Sequence, residues 1–245
     1  MGVPVNSLAS PRFCGVRTFQ RLPHSADCSG NDFAVLGVPF DTATSYRPGC
    51  RFGPAAIRDA SSILKSYHSV LDVDIFEHCQ GVDAGDVDII PGYLDESFER
   101  IEAAVAGVLD AGAVPVIMGG DHSITLPELR AVAKRHGPVA LHFDAHSDTG
   151  DDFFGKPYNH GTTFHWAIEE GLILPEQSTQ AGIRGPLYSR SSLDYAKGKG
   201  MRVISGWELH DIGVDETIRI MRERIRPGTP VFVTFDIDFL DAAYA

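Results

Sequence analysis

Six residues of types that bind metal ions come directly after apolar stretches of this chain. They are His122, Asp144, His146, Asp148, Asp236 and Asp238. Alternate residues of an extended segment project to one side, so the DxHxD pattern at 144–148 would place three ligands on one face. The DxD pattern at 236–238 repeats the spacing. If the preceding strands are neighbours, the carboxylates converge, and two divalent ions would be needed to neutralise them.

The mixture of four aspartates and two histidines indicates which ions fit. It suits a pair of hard to borderline ions, manganese first, with nickel, cobalt or iron as alternatives. Structural zinc usually takes more sulfur, and magnesium keeps more water. The competing interpretation is that acids at strand ends are helix caps or turn residues. It accounts well for a lone DxD but poorly for the combination of DxHxD, DxD and GGDH (119–122), all of which follow apolar strands.

The elements that would position these residues alternate between strands and helices. Strands are predicted at 33–38, 82–90, 114–118, 139–143, 180–184, 202–205 and 231–235, and helices at 55–67, 95–111, 126–136, 164–170 and 215–225. This alternation predicts an α/β fold of three α/β/α layers with a mainly parallel sheet. Right-handed crossovers would bring the ligand-bearing strand ends to one edge. A polar arm over residues 1–31 precedes the domain, which covers residues 32–245.

Composition excludes several classes of protein. The formal net charge of −12 argues against nucleic acid or an anionic membrane as the main partner. The four cysteines form no CxxC pair, so neither a zinc ribbon nor a disulfide framework is predicted. The N-terminus lacks the pattern of a secretory signal, and no uncharged apolar run reaches about 18 residues. We therefore expect a soluble, cytoplasmic protein.

Several segments together resemble the signature motifs of the ureohydrolases, the arginase and agmatinase family. They are GGDHSITLPELRA (119–131), HFDAHSDT (142–149), NHGT (159–162) and TFDIDFLD (234–241), while RPGCRFGPAAIR (47–58) and GIR (182–184) resemble the agmatinase-like branch. The resemblance implies an arginase-like fold and a binuclear manganese hydrolase that cleaves a guanidino group to urea and an amine. It also implies a homo-oligomer, either a trimer or a hexamer.

The resemblance further implies a role for each ligand. His122 and Asp148 would bind one manganese ion, His146 and Asp238 the other, and Asp144 and Asp236 would bridge the two. A hydroxide shared by the ions would attack the guanidinium carbon, because the metals lower the pKa of that water. Asp148 could also hold this hydroxide by a hydrogen bond. His142 lies inside the strand, before the ligand motif. We expect its side chain to be buried and hydrogen-bonded, and not to bind a metal ion.

The leaving nitrogen has to be protonated before it departs, and His160 in the NHGT motif is the candidate proton shuttle. Its alternative is a loop histidine bonded to solvent or backbone. Asn159, Asp151 and Asp152 are candidate substrate contacts. The two acids of this loop outnumber Lys156, which favours a substrate with a cationic tail. On the resemblance, supported by this charge, agmatine is the first candidate and would yield putrescine in polyamine biosynthesis. Guanidinobutyrate or another guanidino acid is the second.

The end of the chain departs from the family pattern. Ala242 stands where the family usually has proline, and the family normally continues beyond the position of Ala245 with a Gly/Thr/Pro-rich loop, a strand and a helix. We expect that the C-terminal part of the fold is missing and that this chain is less stable and less active than a longer relative. Two rival functions remain open: an amide hydrolase with one metal ion, like the deacetylases that resemble this superfamily, and a catalytically silent metal-binding subunit.

Overall fold

The computed structural model of the protein describes residues 2–245, apart from the side chain of residue 190, and divides the chain into two compact units. The units are Met1–Ile124 and Thr125–Ala245. Each contains a parallel sheet with helices packed on it, so the predicted α/β class with mainly parallel sheets is confirmed. In the described part of the chain, no helix combines the length and the hydropathy that a membrane crossing requires.

The first unit is built on a three-stranded parallel sheet. Its elements are β1 (Phe33–Gly37), α1 (Gly53–Ser61), β2 (Tyr67–His68), β3 (Val73–Asp74), β4 (Gly81–Asp86), α2 (Leu94–Asp110) and β5 (Val114–Met118). The sheet order is β4–β1–β5, and β2 pairs with β3 in an antiparallel ladder. Helix α2 has apolar residues at helical spacing, and Val108 on that face packs against Ala34 of β1 and Val82 of β4.

A buried ion pair joins α1 to β4 in the first unit. The Arg58 guanidinium donates from Nε and Nη2 to the two carboxylate oxygens of Asp83, both at 2.8 Å. Burial raises the pKa of Asp83, but hydrogen bonds from Arg58 and from the main-chain amides of Phe19 and Gly85 outweigh it, so the pKa is held below its ordinary value of 3.8. The sequence motif at 47–58 thus supplies an arginine that anchors α1 to the sheet.

The second unit contains a four-stranded parallel sheet. Its elements are α3 (Thr125–Ala133), β6 (Val139–Phe143), α4 (Thr163–Glu169), β7 (Thr179–Ile183), α5 (Asp194–Gly198), β8 (Arg202–Ser205), α6 (Gly206–Arg224) and β9 (Val231–Phe235). The order is β8–β7–β6–β9. Met221 of α6 packs with Ala181 of β7 and Ile204 of β8, which covers one face of the sheet.

The predicted strands at 114–118, 139–143, 202–205 and 231–235 have the observed bounds, whereas other elements differ. The last helix, α6, begins earlier than predicted because the Ser205 hydroxyl accepts from the Glu208 amide and caps its first turn. Gly213, at φ 78°, separates this first part from the rest of α6. The strand predicted at 82–90 corresponds to β4, which ends at Asp86, four residues before the predicted end. The β2–β3 pair and α5 were not predicted, because elements of two and five residues show no periodicity.

Candidate metal centre

The ends of three strands meet at one edge of the second sheet. Phe143, the last residue of β6, is paired with Phe235 of β9 and with Ala181 of β7. The ladder continues one residue further, since the Asp236 amide donates to the Phe143 carbonyl at 2.9 Å and the Asp144 amide to the Ala181 carbonyl at 3.1 Å. The strands before DxHxD and DxD are therefore neighbours, which is the condition on which convergence of the carboxylates depended.

Both motifs turn in the same way where their strands end. One carboxylate oxygen of Asp144 accepts from the His146 amide at 2.6 Å, and Asp236 accepts from the Asp238 amide at 3.0 Å. Each is an Asx turn, in which a side chain bonds to the backbone two residues on. An extended chain was predicted here, whereas the chain turns after each strand. A carboxylate has about four lone-pair sites, so one such bond leaves capacity for an ion.

Asp144, His146 and Asp238 form a cluster that could hold a divalent ion. Their ligand atoms lie within 4.8 Å of one another. The His146 Nδ1 atom is 3.0 Å from Asp238 Oδ2 and 3.5 Å from Asp144 Oδ1. The Asp144 side chain is 1% exposed, while those of His146 and Asp238 are 51% and 37% exposed. One ligand is thus buried at the strand end, and two stand at the opening of the site.

A second group shares Asp144 and extends to the other side of it. Ligand-type atoms of His142, Asp144 and Asp148 also lie within 4.8 Å of one another. Asp148 has φ 50°, a left-handed conformation that is uncommon outside glycine and more accessible to aspartate than to most residues. With this backbone conformation, the Asp148 side chain lies close to that of Asp144.

The electrostatics of the cluster fit a cation. Hydrogen bonding to Asp144 and then to Asp238 raises the pKa of His146 from 6.5 to about 10. A positive charge is therefore strongly favoured at the point where the carboxylates meet. The donor set of imidazole nitrogen and carboxylate oxygen is the one that manganese, nickel, cobalt and iron accept. The residues that are present fit the divalent ions predicted from the sequence.

Residues 182–185, at the end of β7, support this cluster, and no local sequence pattern assigned them a role. A β-carbon on Gly182, at φ 96°, would lie 2.4 Å from the Phe239 ring, and one on Gly185 would lie 2.5 Å from His146 Cδ2. Arg184 donates to the main-chain carbonyls of residues 238–240 at 2.5–3.1 Å. Two glycines beside an arginine at a strand end were the available signal, because such glycines often mark a close backbone approach.

The two remaining predicted ligands lie in short turns that follow strands. Asp236 begins the turn of residues 237–239 and is not in either cluster that the residues 2–245 form around Asp144. His122 belongs to the first unit, in the turn His122–Ile124 that follows β5. The roles of these two residues as ligands stay predictions. His142 is fully buried and hydrogen-bonded, as expected from its place inside β6.

The loop between Asp148 and α4 holds the predicted catalytic and substrate contacts. His160 opens the turn His160–Thr162, in which the Gly161 carbonyl accepts from the Gly150 amide at 3.0 Å. At the start of α4, the Phe164 amide donates to the Asp148 carbonyl at 2.9 Å. Asn159 is buried, and its side chain caps that turn by accepting from the Gly161 amide at 3.1 Å. The turn therefore lies next to the metal segment.

The predicted acids of this loop are both exposed. Asp151 accepts from the Asp152 amide at 3.1 Å, and Asp152 accepts from the Gly155 amide at 3.1 Å. Each carboxylate thus makes a local turn bond. Substrate contact by Asp151, Asp152 or Asn159 stays a prediction.

Comparisons with known proteins agree with these motifs. The family model described as "Arginase family" matches residues 31–245. Proclavaminate amidinohydrolase of Streptomyces clavuligerus is 43% identical over 98% of this chain and 77% of its own length. Guanidinopropionase of Pseudomonas aeruginosa is 41% identical over 99% of this chain and 76% of its own length. Agmatinase of Escherichia coli is 42% identical over 98% of this chain and 75% of its own length.

A solved structure extends the likeness to the fold. The structure of the Streptomyces clavuligerus proclavaminate amidino hydrolase superposes with a TM-score of 0.91 and 42% identity, over 96% of this chain and 78% of that one. The sheets described above are therefore those of the arginase fold. With a family match over most of its length and relatives above 40% identity, the chain belongs to the arginase family and is a hydrolase of guanidino compounds.

Proposed function

We propose that this chain is a binuclear manganese hydrolase that converts agmatine to putrescine and urea. The observation that carries the proposal is the Asp144, His146 and Asp238 cluster at the joined ends of β6 and β9. His122, Asp148 and Asp236 are proposed to complete the ligand set. When bound, the ions would supply a water of lowered pKa as the nucleophile and neutralise the carboxylates.

The residues of the chain would contribute positioning and proton transfer. Asp148 is proposed to orient the nucleophilic water through a hydrogen bond. His160 is proposed to protonate the leaving nitrogen, because an amide anion is too basic to depart, and its turn is tied to the segment that carries Asp148. We expect His160→Asn to lower kcat about 100-fold or more while metal content stays unchanged.

The charge of the loop supports agmatine over a guanidino acid. Asp151 and Asp152 are exposed beside one lysine, Lys156, so the loop is net negative. A cationic amine tail is stabilised by this field, and a carboxylate tail is opposed by it. Guanidino acids are the second candidate, because guanidinopropionase is about as similar to this chain as agmatinase is.

A urea-release assay with added manganese tests the proposal. Agmatine, guanidinobutyrate, guanidinopropionate and arginine are compared at equal concentration, and we expect the highest kcat/KM for agmatine. Asp238→Asn should abolish turnover, whereas Asp211→Asn, on the exposed side of α6, is the matched control and should retain it. Urea from guanidinobutyrate but not agmatine would favour the second candidate. Two bound ions without any turnover would indicate a silent subunit. One bound ion, with acetate released from an acetylated amine that is assayed in parallel, would indicate an amide hydrolase.

Substitutions in the loop test the substrate assignment separately. Asp151→Asn and Asp152→Asn each remove the negative charge but keep a side-chain oxygen that can accept the hydrogen bond from the nearby main-chain amide. We expect KM for agmatine to rise about 2- to 5-fold, because exposed charges contribute at most about 1 kcal/mol, while KM for guanidinobutyrate stays unchanged or falls. Equal changes for both substrates would mean that these acids do not select the tail.

A further inference from the structure

Behind Asp144 lies a buried polar chain that joins two strands. His142 of β6 is 0% exposed, and its Nε2 atom lies 2.7 Å from Asp144 Oδ2. Gln180 of β7 is also 0% exposed, and its Nε2 atom lies 3.0 Å from His142 Nδ1. The imidazole stacks on Phe164 with ring centroids 4.0 Å apart, so the ring plane is fixed as well.

The hydrogen-bond partners assign the proton on the imidazole. Gln180 Nε2 lies 2.6 Å from the Ser147 carbonyl oxygen, which only accepts, so the amide nitrogen and not its oxygen must occupy that position. The second hydrogen of the same nitrogen is then directed at His142 Nδ1, which accepts it. The imidazole proton therefore sits on Nε2 and is donated to Asp144.

We propose that Gln180 and His142 form a positioning relay that orients the Asp144 carboxylate for a divalent ion. The proposal rests on the proposed function. The Nδ1 lone pair of His142 is used by Gln180, and Nε2 carries a proton, so His142 is a positioning residue and not a metal ligand. A histidine that holds a ligating carboxylate from behind fixes its orientation.

The geometry shows why the orientation of Asp144 depends on this relay. One oxygen of the carboxylate is held by the His146 amide and the other by His142 Nε2. The two bonds together define the plane of the group. With the His142 bond removed, Oδ2 loses this buried N–H donor, and the orientation of the carboxylate is less tightly defined. Outer hydrogen-bond partners of metal ligands are typically worth about 10- to 100-fold in metal affinity.

Metal affinity of matched variants tests the relay. Gln180→Met removes the amide at similar volume, and His142→Phe keeps an aromatic ring against Phe164. The controls are Gln177→Met, since Gln177 is a buried glutamine that accepts from the Arg226 amide, and His165→Phe, since His165 stacks on Tyr195. Ions per chain and manganese affinity are measured by elemental analysis and chelator competition. We expect affinity about 10- to 100-fold weaker in the first two variants and changed less than about 2-fold in the controls.

The double variant separates a relay from two independent packing defects. Because Gln180 acts through His142, adding Gln180→Met to His142→Phe should lower the manganese affinity no further. If the two losses add, the relay is overturned. If the unaltered chain binds manganese and Gln180→Met binds it equally well, the relay fails and the proposed function stands. If the unaltered chain binds no divalent ion, the proposed function fails.

A spectroscopic measurement on the unaltered chain does not depend on any variant folding. Two-bond proton–nitrogen correlation of the metal-free, nitrogen-15-histidine-labelled chain reports the tautomer of each imidazole. The relay predicts that His142 carries its proton on Nε2 and that its Nδ1 is unprotonated. The His142 signal is assigned from its loss in His142→Phe. A proton on Nδ1 of the unaltered chain would overturn the proposal whatever the metal affinities are.

Discussion

Replacing Gly185 by alanine should displace His146, a proposed metal ligand, and leave the fold intact. The new β-carbon would lie 2.5 Å from Cδ2 and 2.7 Å from Nε2 of His146, and 3.2 Å from the Ala145 carbonyl oxygen. The first two atoms belong to a side chain that is half exposed, so the imidazole can swing outward without moving buried atoms. Gly185 is not among the residues with positive φ, so alanine adds no backbone strain of that kind.

The required movement sets the size of the effect. To relax from 2.5 Å to the 3.4 Å at which ordinary contact begins, the imidazole must retreat by roughly 1 Å. The His146 Nδ1 to Asp238 Oδ2 separation is now 3.0 Å, and such a shift removes that contact. Metal-ligand distances tolerate only about 0.2 Å, so we expect manganese affinity to fall about 10-fold or more. A misplacement of about 1 Å near a reacting centre can cost about 100-fold in rate.

The assay compares Gly185→Ala with Gly198→Ala. A β-carbon on Gly198, the last residue of α5, would meet no atom within 4 Å. Urea release, manganese affinity and thermal unfolding of the metal-free chain are measured for both. Gly185→Ala should lose metal affinity and activity with a change in unfolding free energy within about 0.5 kcal/mol, and the control should match the unaltered chain. Undiminished manganese affinity in Gly185→Ala, or loss only together with a large fall in melting temperature, would refute the reasoning.

Further predictions concern the ion pair of the first unit, the arginine after β7 and the bound metal. Arg58→Met leaves Asp83 buried without its main cation and should lower the free energy of unfolding by about 3–5 kcal/mol in urea titrations. Because the folded pKa of Asp83 lies below 3.8, its contribution is present above about pH 4 and is lost as pH falls through the folded value. Asp83→Asn should therefore flatten the acid limb of stability against pH, and an unchanged acid limb would contradict this assignment. Arg184→Met removes donors to the carbonyls of residues 238–240 and should weaken manganese binding, and Arg184→Lys should not restore it, because an ammonium lacks the forked geometry. Full recovery of affinity in Arg184→Lys would show that charge alone suffices. Manganese at about 100 times its dissociation constant should raise the unfolding free energy by about 2.7 kcal/mol in thermal scans, and an excess of chelator should reverse the gain; no shift would mean that the folded chain binds no ion.

The parts of the site that the sequence predicted are those that depend on strand order. An apolar run that ends in DxHxD and another that ends in DxD predict two parallel strands whose ends carry acids. Strand β6 is largely buried, whereas alternate residues of β9 are exposed. The observed pairing of β6 with β9 brings Asp144, His146 and Asp238 together as expected. The strand Val231–Phe235, in which every residue is β-branched or aromatic, has the predicted bounds.

Other parts of the site depend on contacts between distant segments, which a local pattern does not encode. The glycines at 182 and 185 matter because Phe239 and His146 approach them, and neither partner is near in sequence. From the local sequence, Gln180 is predicted only to be a residue of a buried strand. Its role follows from the pairing of β6 with β7, which places it opposite His142. The register of the sheet therefore had to be known before these supporting residues could be identified.

The Asx turns explain why the spacing of two residues between aspartate and the next candidate ligand was informative. The extended geometry that was first assumed for these motifs was wrong. In both motifs the first aspartate accepts the amide of the residue two positions on, which is the next candidate ligand. The interval of two that suggested a shared face of a strand is thus also the interval that such a turn requires. Because the same aspartate orients the next ligand and offers an oxygen to the ion, turn geometry and metal chemistry select the same residue type at the same spacing. A DxD or DxH at the end of a buried parallel strand therefore predicts convergent ligands whether the chain continues extended or turns there.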